Sequence, residues 1–237
     1  MGATQPPHHD RPGRRPATAA SHRTPLSYDL TWPALPRGPL TVDDLADLPD
    51  DGHRYELIDG TLLVTPALGT AHQLAVGRLH LALGNGLADR LVAMLAPYDY
   101  VIAPGTVLEP DLLVVRAEQL AGERLTTTPL LVVEVLSPST RRTDLGSKRL
   151  AYQEAGVPAY WILDPVTTAL TVHRLDGSGA YQTTIISPPA VWVDPELGVT
   201  IDPAQLCGPA HLCGRHSSGA RHTSAARHTE QGADTRR

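Results

Sequence analysis

Residues 130–140 read LLVVEVLSPST, an apolar run interrupted once by Glu134 and followed by a turn, Ser137-Pro138-Ser139-Thr140. A continuous Leu/Val run of this length reads as a strand buried on both faces. A carboxylate inside it is costly unless it is paired or holds a cation. The same conflict occurs upstream, where Asp111 interrupts LEPDLLVV at 108–115. Two such acids on neighbouring strands repel each other, and a bound divalent cation resolves the repulsion. Carboxylate oxygens with water suit magnesium or manganese. Taken singly, each acid reads more simply as a strand-end residue that reaches solvent or caps a helix.

Working outward, Thr140 to Ala155 has the pattern of a helix, capped by Ser139 or Thr140 and stopped by Gly156 and Pro158. Ala159–Leu163 is a further short apolar strand, with Tyr160 and Trp161 as core residues. Thr168–Arg174 and Tyr181–Ser187 pair as a hairpin at a sheet edge. Before the decisive stretch, Leu40–Leu48 reads as a short helix with Thr41 as its N-cap. Tyr55–Ile58 and Thr61–Val64 flank Asp59-Gly60, the strongest short hairpin signal. Thr70 to about Leu83 reads as a helix ended or interrupted by Gly84-Asn85-Gly86. Leu91–Leu95 and Tyr98–Ala103 are strands, and Leu108–Val115 and Leu130–Leu136 are buried central strands. The whole is α/β.

Of the 20 Lys and Arg residues only one is Lys, at position 148; Phe is absent. Arg serves wherever a fixed charge will do, so a lone Lys marks a place for a compact ammonium with a tunable pKa. Lys148 follows Asp144 by four residues and precedes Tyr152 by four, so the three share a helical face. On the surface that pair would be worth a few tenths of a kcal/mol. Turned inward, Lys148 would meet Asp111 and Glu134 and orient or help deprotonate an attacking water.

YELIDG (55–60), His72, EPD (109–111), VVEVLSPST (132–140), Asp144, Lys148, Tyr152 and GVPAYWILDP (156–165), in this order, resemble the Uma-two family of endonucleases within the PD-(D/E)XK nuclease superfamily. The resemblance spans roughly residues 40–190. It implies a restriction-endonuclease-like core, with a mixed central sheet flanked by helices. It implies metal-dependent hydrolysis of DNA phosphodiester bonds with one or two Mg or Mn ions. Asp111 and Glu134 would be metal ligands, the backbone carbonyl of Val135 a third, and Glu56 an early acid at the same site or a second metal. The superfamily's E-x-K lysine is missing, since position 136 is Leu, and Lys148 is its natural substitute. His72 would contact phosphate, assist proton transfer, or serve as a structural hydrogen-bond partner. A homodimer would let two sites address both strands of a duplex, and no sequence feature demonstrates one.

Residues 1–25 and 207–237 read as disordered basic tails around a domain at 26–206. Each tail carries a net +3; with −5 for the whole chain, the domain carries −11. Such acidity disfavours non-specific binding of a polyanion. Arg-His-Ser/Thr recurs every six residues at 215–217, 221–223 and 227–229, without the apolar positions of a β-helix. Cys207, His211 and Cys213 make a poor tetrahedral zinc set. Gly84-Asn85-Gly86 is no phosphate loop, and Ser137 lacks a nucleophile elbow. The absence of an apolar run near 20 residues or of a secretory h-region, with two cysteines only, points to a cytoplasmic protein without a membrane span. Two other readings stand beside the nuclease: a non-catalytic binding or regulatory module on a nuclease fold, and a metal phosphoesterase acting on small nucleotides.

Overall fold

The structure, a computed structural model, describes residues 37–207. The expected tails, His211 and Cys213 lie outside the described residues; Cys207, at their end, is buried. Asp59 and Gly60 both hold positive φ, 50° and 75°, the two-residue turn whose twist suits an antiparallel pair. They join β1 (Arg54–Ile58) to β2 (Thr61–Thr65) in register from Arg54 opposite Thr65 to Ile58 opposite Thr61. There follow α1 (Thr70–Gly86), β3 (Leu91–Leu95), β4 (Tyr100–Ala103), β5 (Thr106–Leu108), β6 (Leu112–Arg116) and β7 (Leu131–Val135). Next come α2 (Arg141–Leu145), α3 (Ser147–Glu154), β8 (Ala159–Asp164), β9 (Ala169–Leu175), β10 (Tyr181–Ile186), β11 (Trp192–Val193), β12 (Thr200–Ile201) and α4 (Pro203–Leu206).

The strands form a six-stranded sheet of order β10-β9-β8-β7-β6-β3 and a four-stranded sheet of order β2-β1-β5-β4; β11 and β12 pair separately. In the large sheet only β7 and β8 are parallel, joined through α2 and α3. This is the mixed sheet flanked by helices that the sequence leads one to expect, with the β9–β10 hairpin at its edge. Strand alternation divides the core. Leu131, Val133 and Val135 of β7, with Trp161 of β8, pack against Ala75, Val76, Leu79 and Leu83 of α1. On the opposite face Val132, Tyr160 and Ile162 pack with Tyr152 of α3 and with Leu108 and Tyr100 of the small sheet. Both faces of β7 and β8 are covered, which is why these strands read as unbroken apolar runs. Tyr160 and Trp161 are core, as expected.

Four expectations need correction. Leu40–Leu48 is not a helix but a single 3₁₀ turn at Asp44–Asp47. Thr41 does not cap it; its N–H and hydroxyl donate to the Asp44 carboxylate at 2.7 and 2.9 Å, a local bond that competes with helical pairing. The helix expected to stop near Leu83 continues through Gly84 and Asn85 and ends at Gly86. The stretch 108–115 is not one strand. β5 ends at Leu108 in the small sheet and β6 starts at Leu112 in the large one. The crossing is Glu109-Pro110-Asp111, where Pro110 has no N–H to offer a ladder. Finally, 140–155 is two helices. Gly146, at φ −114° and ψ −98°, separates α2 from α3, and a Cβ there would stand 3.0 Å from the Arg142 carbonyl. Thr140 heads α2 without a side-chain cap; its own N–H donates to Ser137 Oγ at 3.2 Å. Gly156 does close the helix, with φ +72°.

Candidate active site

Period-two alternation on β7 sends Glu134 to the same face as Val132, toward α3, where it is buried. On α3 the i,i+4 spacing turns Lys148 and Tyr152 to that face. Lys148 Nζ lies 2.9 Å from Glu134 Oε1, and Tyr152 donates its hydroxyl to the same oxygen at 3.0 Å. β1 of the small sheet brings Glu56 to the other side, with Oε1 2.9 Å from Lys148 Nζ and accepting the Glu109 N–H at 2.9 Å. Asp144 Oδ1 completes the ring at 3.7 Å. The chain's one lysine, 1 % exposed, is thus enclosed by three carboxylates. The surface ion-pair reading of Asp144 and Lys148 is overturned: both are buried, in separate helices, with the break at Gly146 between them.

Asp111 stands beside this ring. Asp111 directly precedes β6, whose Leu112 pairs with Val133 next to Glu134, and its charge acts on Glu134. Asp111 Oδ2 accepts the Val135 N–H at 2.8 Å and meets His72 Nε2 at 2.9 Å; Oδ1 accepts from Arg54 Nη2 at 3.1 Å. Arg54 Nε contacts Glu109 Oε1 at 2.9 Å. His72, in the first turn of α1, is therefore a buried partner of Asp111. Val135 enters the site through its N–H.

Five carboxyl groups here face two permanent cations, Arg54 and Lys148. The titration of the cluster follows from that imbalance. Burial, with the neighbouring charges of Asp144, Asp111 and Glu56, holds the Glu134 carboxyl well above the usual carboxylate range despite Lys148. Burial also pushes Asp144 up to about 6, against the pull of Lys148 and the Thr140 hydroxyl. Burial works against Asp111 too. There the His72 hydrogen bond, the charges of His72 and Arg54 and the Val135 N–H outweigh it and hold the carboxyl below its ordinary value. Burial alone would lower Lys148; Glu134, Glu56 and Asp144 together keep its ammonium above the ordinary lysine range. Lys148 is a fixed cation at neutral pH and cannot accept a proton there.

Three clefts open beside the cluster. One of about 80 Å³ is lined by Glu56, Lys148, Thr65, Ser139, Thr140 and Thr143. A second, of about 140 Å³, is lined by His72, Asp111, Gln73 and Ala96 among others. A third, of about 400 Å³, includes Arg54, His53, Asp50, Gln73 and Glu109. Among the described residues, no three His, Cys, Asp or Glu side chains converge into a ready metal cage.

All six expected residues, Glu56, His72, Asp111, Glu134, Val135 and Lys148, lie in one neighbourhood. Two more were not foreseen. Glu109 is the first residue of the quoted EPD, given no role there; Arg54 immediately precedes YELIDG and stands two before Glu56, which places both on one face of β1. That spacing was the available signal.

A family model described as "Uma2: Putative restriction endonuclease" matches residues 42–204. The fold is similar to the crystal structure of a putative nuclease belonging to DUF820 from Anabaena variabilis. That likeness has a TM-score of 0.62 and 18% identity, and covers 74% of this chain and 99% of the other. No curated protein matches the chain.

Proposed function

Since the chain belongs to the Uma2 family of restriction-endonuclease-like proteins, we propose that it is a metal-dependent endonuclease that hydrolyses DNA phosphodiester bonds. One observation carries the reading. The sole lysine is buried with its ammonium 2.9 Å from both Glu56 and Glu134, and Asp111 lies at the neighbouring strand end, held by Arg54, His72 and the Val135 N–H. A charged ring this deep is expensive to keep for stability alone.

The donors are carboxylate oxygens, and buried carboxylates outnumber cations, which suits a hard divalent ion. Magnesium is usually held by one or two carboxylates, water and substrate phosphate, rather than by an all-protein cage. Two neighbouring acids without a third are therefore adequate for magnesium or manganese and inadequate for zinc. Asp111 and Glu134 would hold the ion, with the Val135 carbonyl, and Glu56 would serve a second. When bound, the ion supplies Lewis acidity toward a phosphate and lowers the pKa of water. The chain's own groups do the rest. Lys148, permanently charged, orients the attacking water or balances charge growing on the phosphate; a role in deprotonating water is set aside. Tyr152 fixes the Glu134 carboxylate from behind. His72 and the Val135 N–H fix Asp111, which makes His72 a positioning residue.

The test offers duplex DNA, single-stranded DNA, RNA and free nucleotides to the protein in magnesium. The proposal expects internal cuts in duplex DNA, lost in Glu134→Gln. Consumption of nucleotides with duplex DNA untouched would move the assignment to a small-molecule phosphoesterase. The −11 charge of residues 26–206 favours that outcome more than any other feature does. No turnover in either magnesium or manganese would leave a non-catalytic module.

A further inference from the structure

Asp111 is fully engaged, and its partners differ in how easily they can leave. Val135 contributes a backbone N–H from the middle of the sheet, which cannot move away without breaking the strand. His72 is 5 % exposed and fixed on α1. Arg54 is different. It sits at the first position of β1, its long side chain borders the 400 Å³ cleft, and it has a second anchor in Glu109. Its guanidinium, like that of any arginine, is charged at every working pH. Arg54 Nη2 therefore delivers a full positive charge to Asp111 Oδ1, a carboxylate oxygen that an incoming cation would need.

We propose that Arg54 is a resident counter-ion of Asp111, which a divalent cation displaces, and that Arg54 thereby sets the metal affinity of the site. This rests on the metal-dependent reading above. Without such a partner Asp111 would feel the charge of Glu134 with only His72 and an N–H for compensation. With it, the cluster is stable before an ion arrives, and any ion must compete with a tethered guanidinium. The Nε contact with Glu109 lets Nη2 leave Asp111 while the side chain stays attached at the cleft rim. The cleft supplies the room for that swing. Lys148 has no equivalent exit: it is enclosed by three carboxylates and stays where it is. The two cations of the cluster thus have separate tasks, one exchangeable and one permanent.

The experiment is manganese binding to the full-length protein, followed by electron paramagnetic resonance and by calorimetry, for wild type, Arg54→Gln and Arg54→Lys. Removing a unit charge a few ångströms from the ion should tighten binding at least about tenfold in Arg54→Gln, while Arg54→Lys stays near wild type. Wild-type binding with equal or weaker affinity in Arg54→Gln overturns the counter-ion role and leaves the metal site intact. No binding to either protein overturns both readings together. A second measurement needs no variant. In wild-type protein labelled with ¹⁵N-arginine, the Arg54 side-chain resonance should shift during a magnesium titration, in step with occupancy measured by calorimetry. Occupancy without that shift contradicts displacement, whether or not Arg54→Gln folds.

Discussion

Lys148 joins the chemistry and the stability of the site in one side chain. Its replacement by Ala should abolish hydrolysis and cost about 3–5 kcal/mol, because Glu56 and Glu134 lose their common partner in the interior. Urea unfolding at pH 7 measures this. The loss should shrink toward pH 5, where the Asp144 carboxyl, raised to about 6, takes up a proton. Asp144 supplies a separate pH test. Its carboxyl lies at about 6 in the folded protein and near 3.8 when unfolded, so the folded state holds an extra proton between those values. Its contribution is present below about pH 4 and is lost as pH rises through 6, a change on the order of 3 kcal/mol. His173, lowered to about 4 by burial and by Arg149, acts in the opposite sense as pH rises toward 6.5. The informative quantity is therefore the difference between wild type and Asp144→Asn, in which His173 cancels. It should fall across pH 4–6; a flat difference would mean that Asp144 is not raised. Glu134, Asp111 and Lys148 were legible from sequence because a charge inside an apolar run, or a lone lysine among arginines, is an anomaly with a cost. Arg54 was not, since one arginine among many carries no such mark. The depth of Asp144 was hidden too, because i,i+4 acid–base spacing is ordinary on helix surfaces.

At the level of elements, α1 shows what local propensity alone misjudges. Gly84 should terminate a helix, yet α1 continues three residues past Leu83 to Gly86, held by Leu79 and Leu83 in the core and by Val199 against its last turn. The two glycines make a paired prediction. A Cβ at Gly84 meets nothing within 4 Å, whereas one at Gly86 would stand 3.0 Å from Val199 Cγ1. Gly84→Ala should therefore stabilise the protein by about 0.5–1 kcal/mol, and Gly86→Ala should gain less or lose, as read by thermal melting. Gly146 behaves in the reverse way. Its backbone breaks the helix that the sequence pattern suggests, and the break sets α3, with Lys148, against β7 and β1. Gly146→Ala should cost stability and reduce turnover together. The hairpin at Asp59-Gly60 and the buried strands were readable because turn chemistry and uninterrupted apolar runs are local signals. The division of 108–115 between two sheets was not, since it depends on where the chain is paired on either side of Pro110.

Across the whole molecule, electrostatics sets the conditions of use. A −11 domain carrying two +3 segments should bind DNA weakly, with a shallow salt dependence supplied by the arginines of residues 1–25 and 207–237. Replacing the five Arg of residues 207–237 by Gln in the full chain should weaken binding at low salt. It should also reduce the slope of log K against log salt by about 0.9 for each phosphate that those arginines neutralise. Titration by fluorescence anisotropy at several salt concentrations measures both; an unchanged slope would mean that the segment neutralises no phosphate. The most direct test of the central claim is supercoiled plasmid incubated with wild-type protein and with Asp111→Asn, in magnesium and in manganese, with and without chelator. Metal-dependent nicking or linearisation by the wild type alone, abolished by chelator, is the predicted result. Equal cutting by Asp111→Asn, or cutting that survives the chelator, would contradict the account.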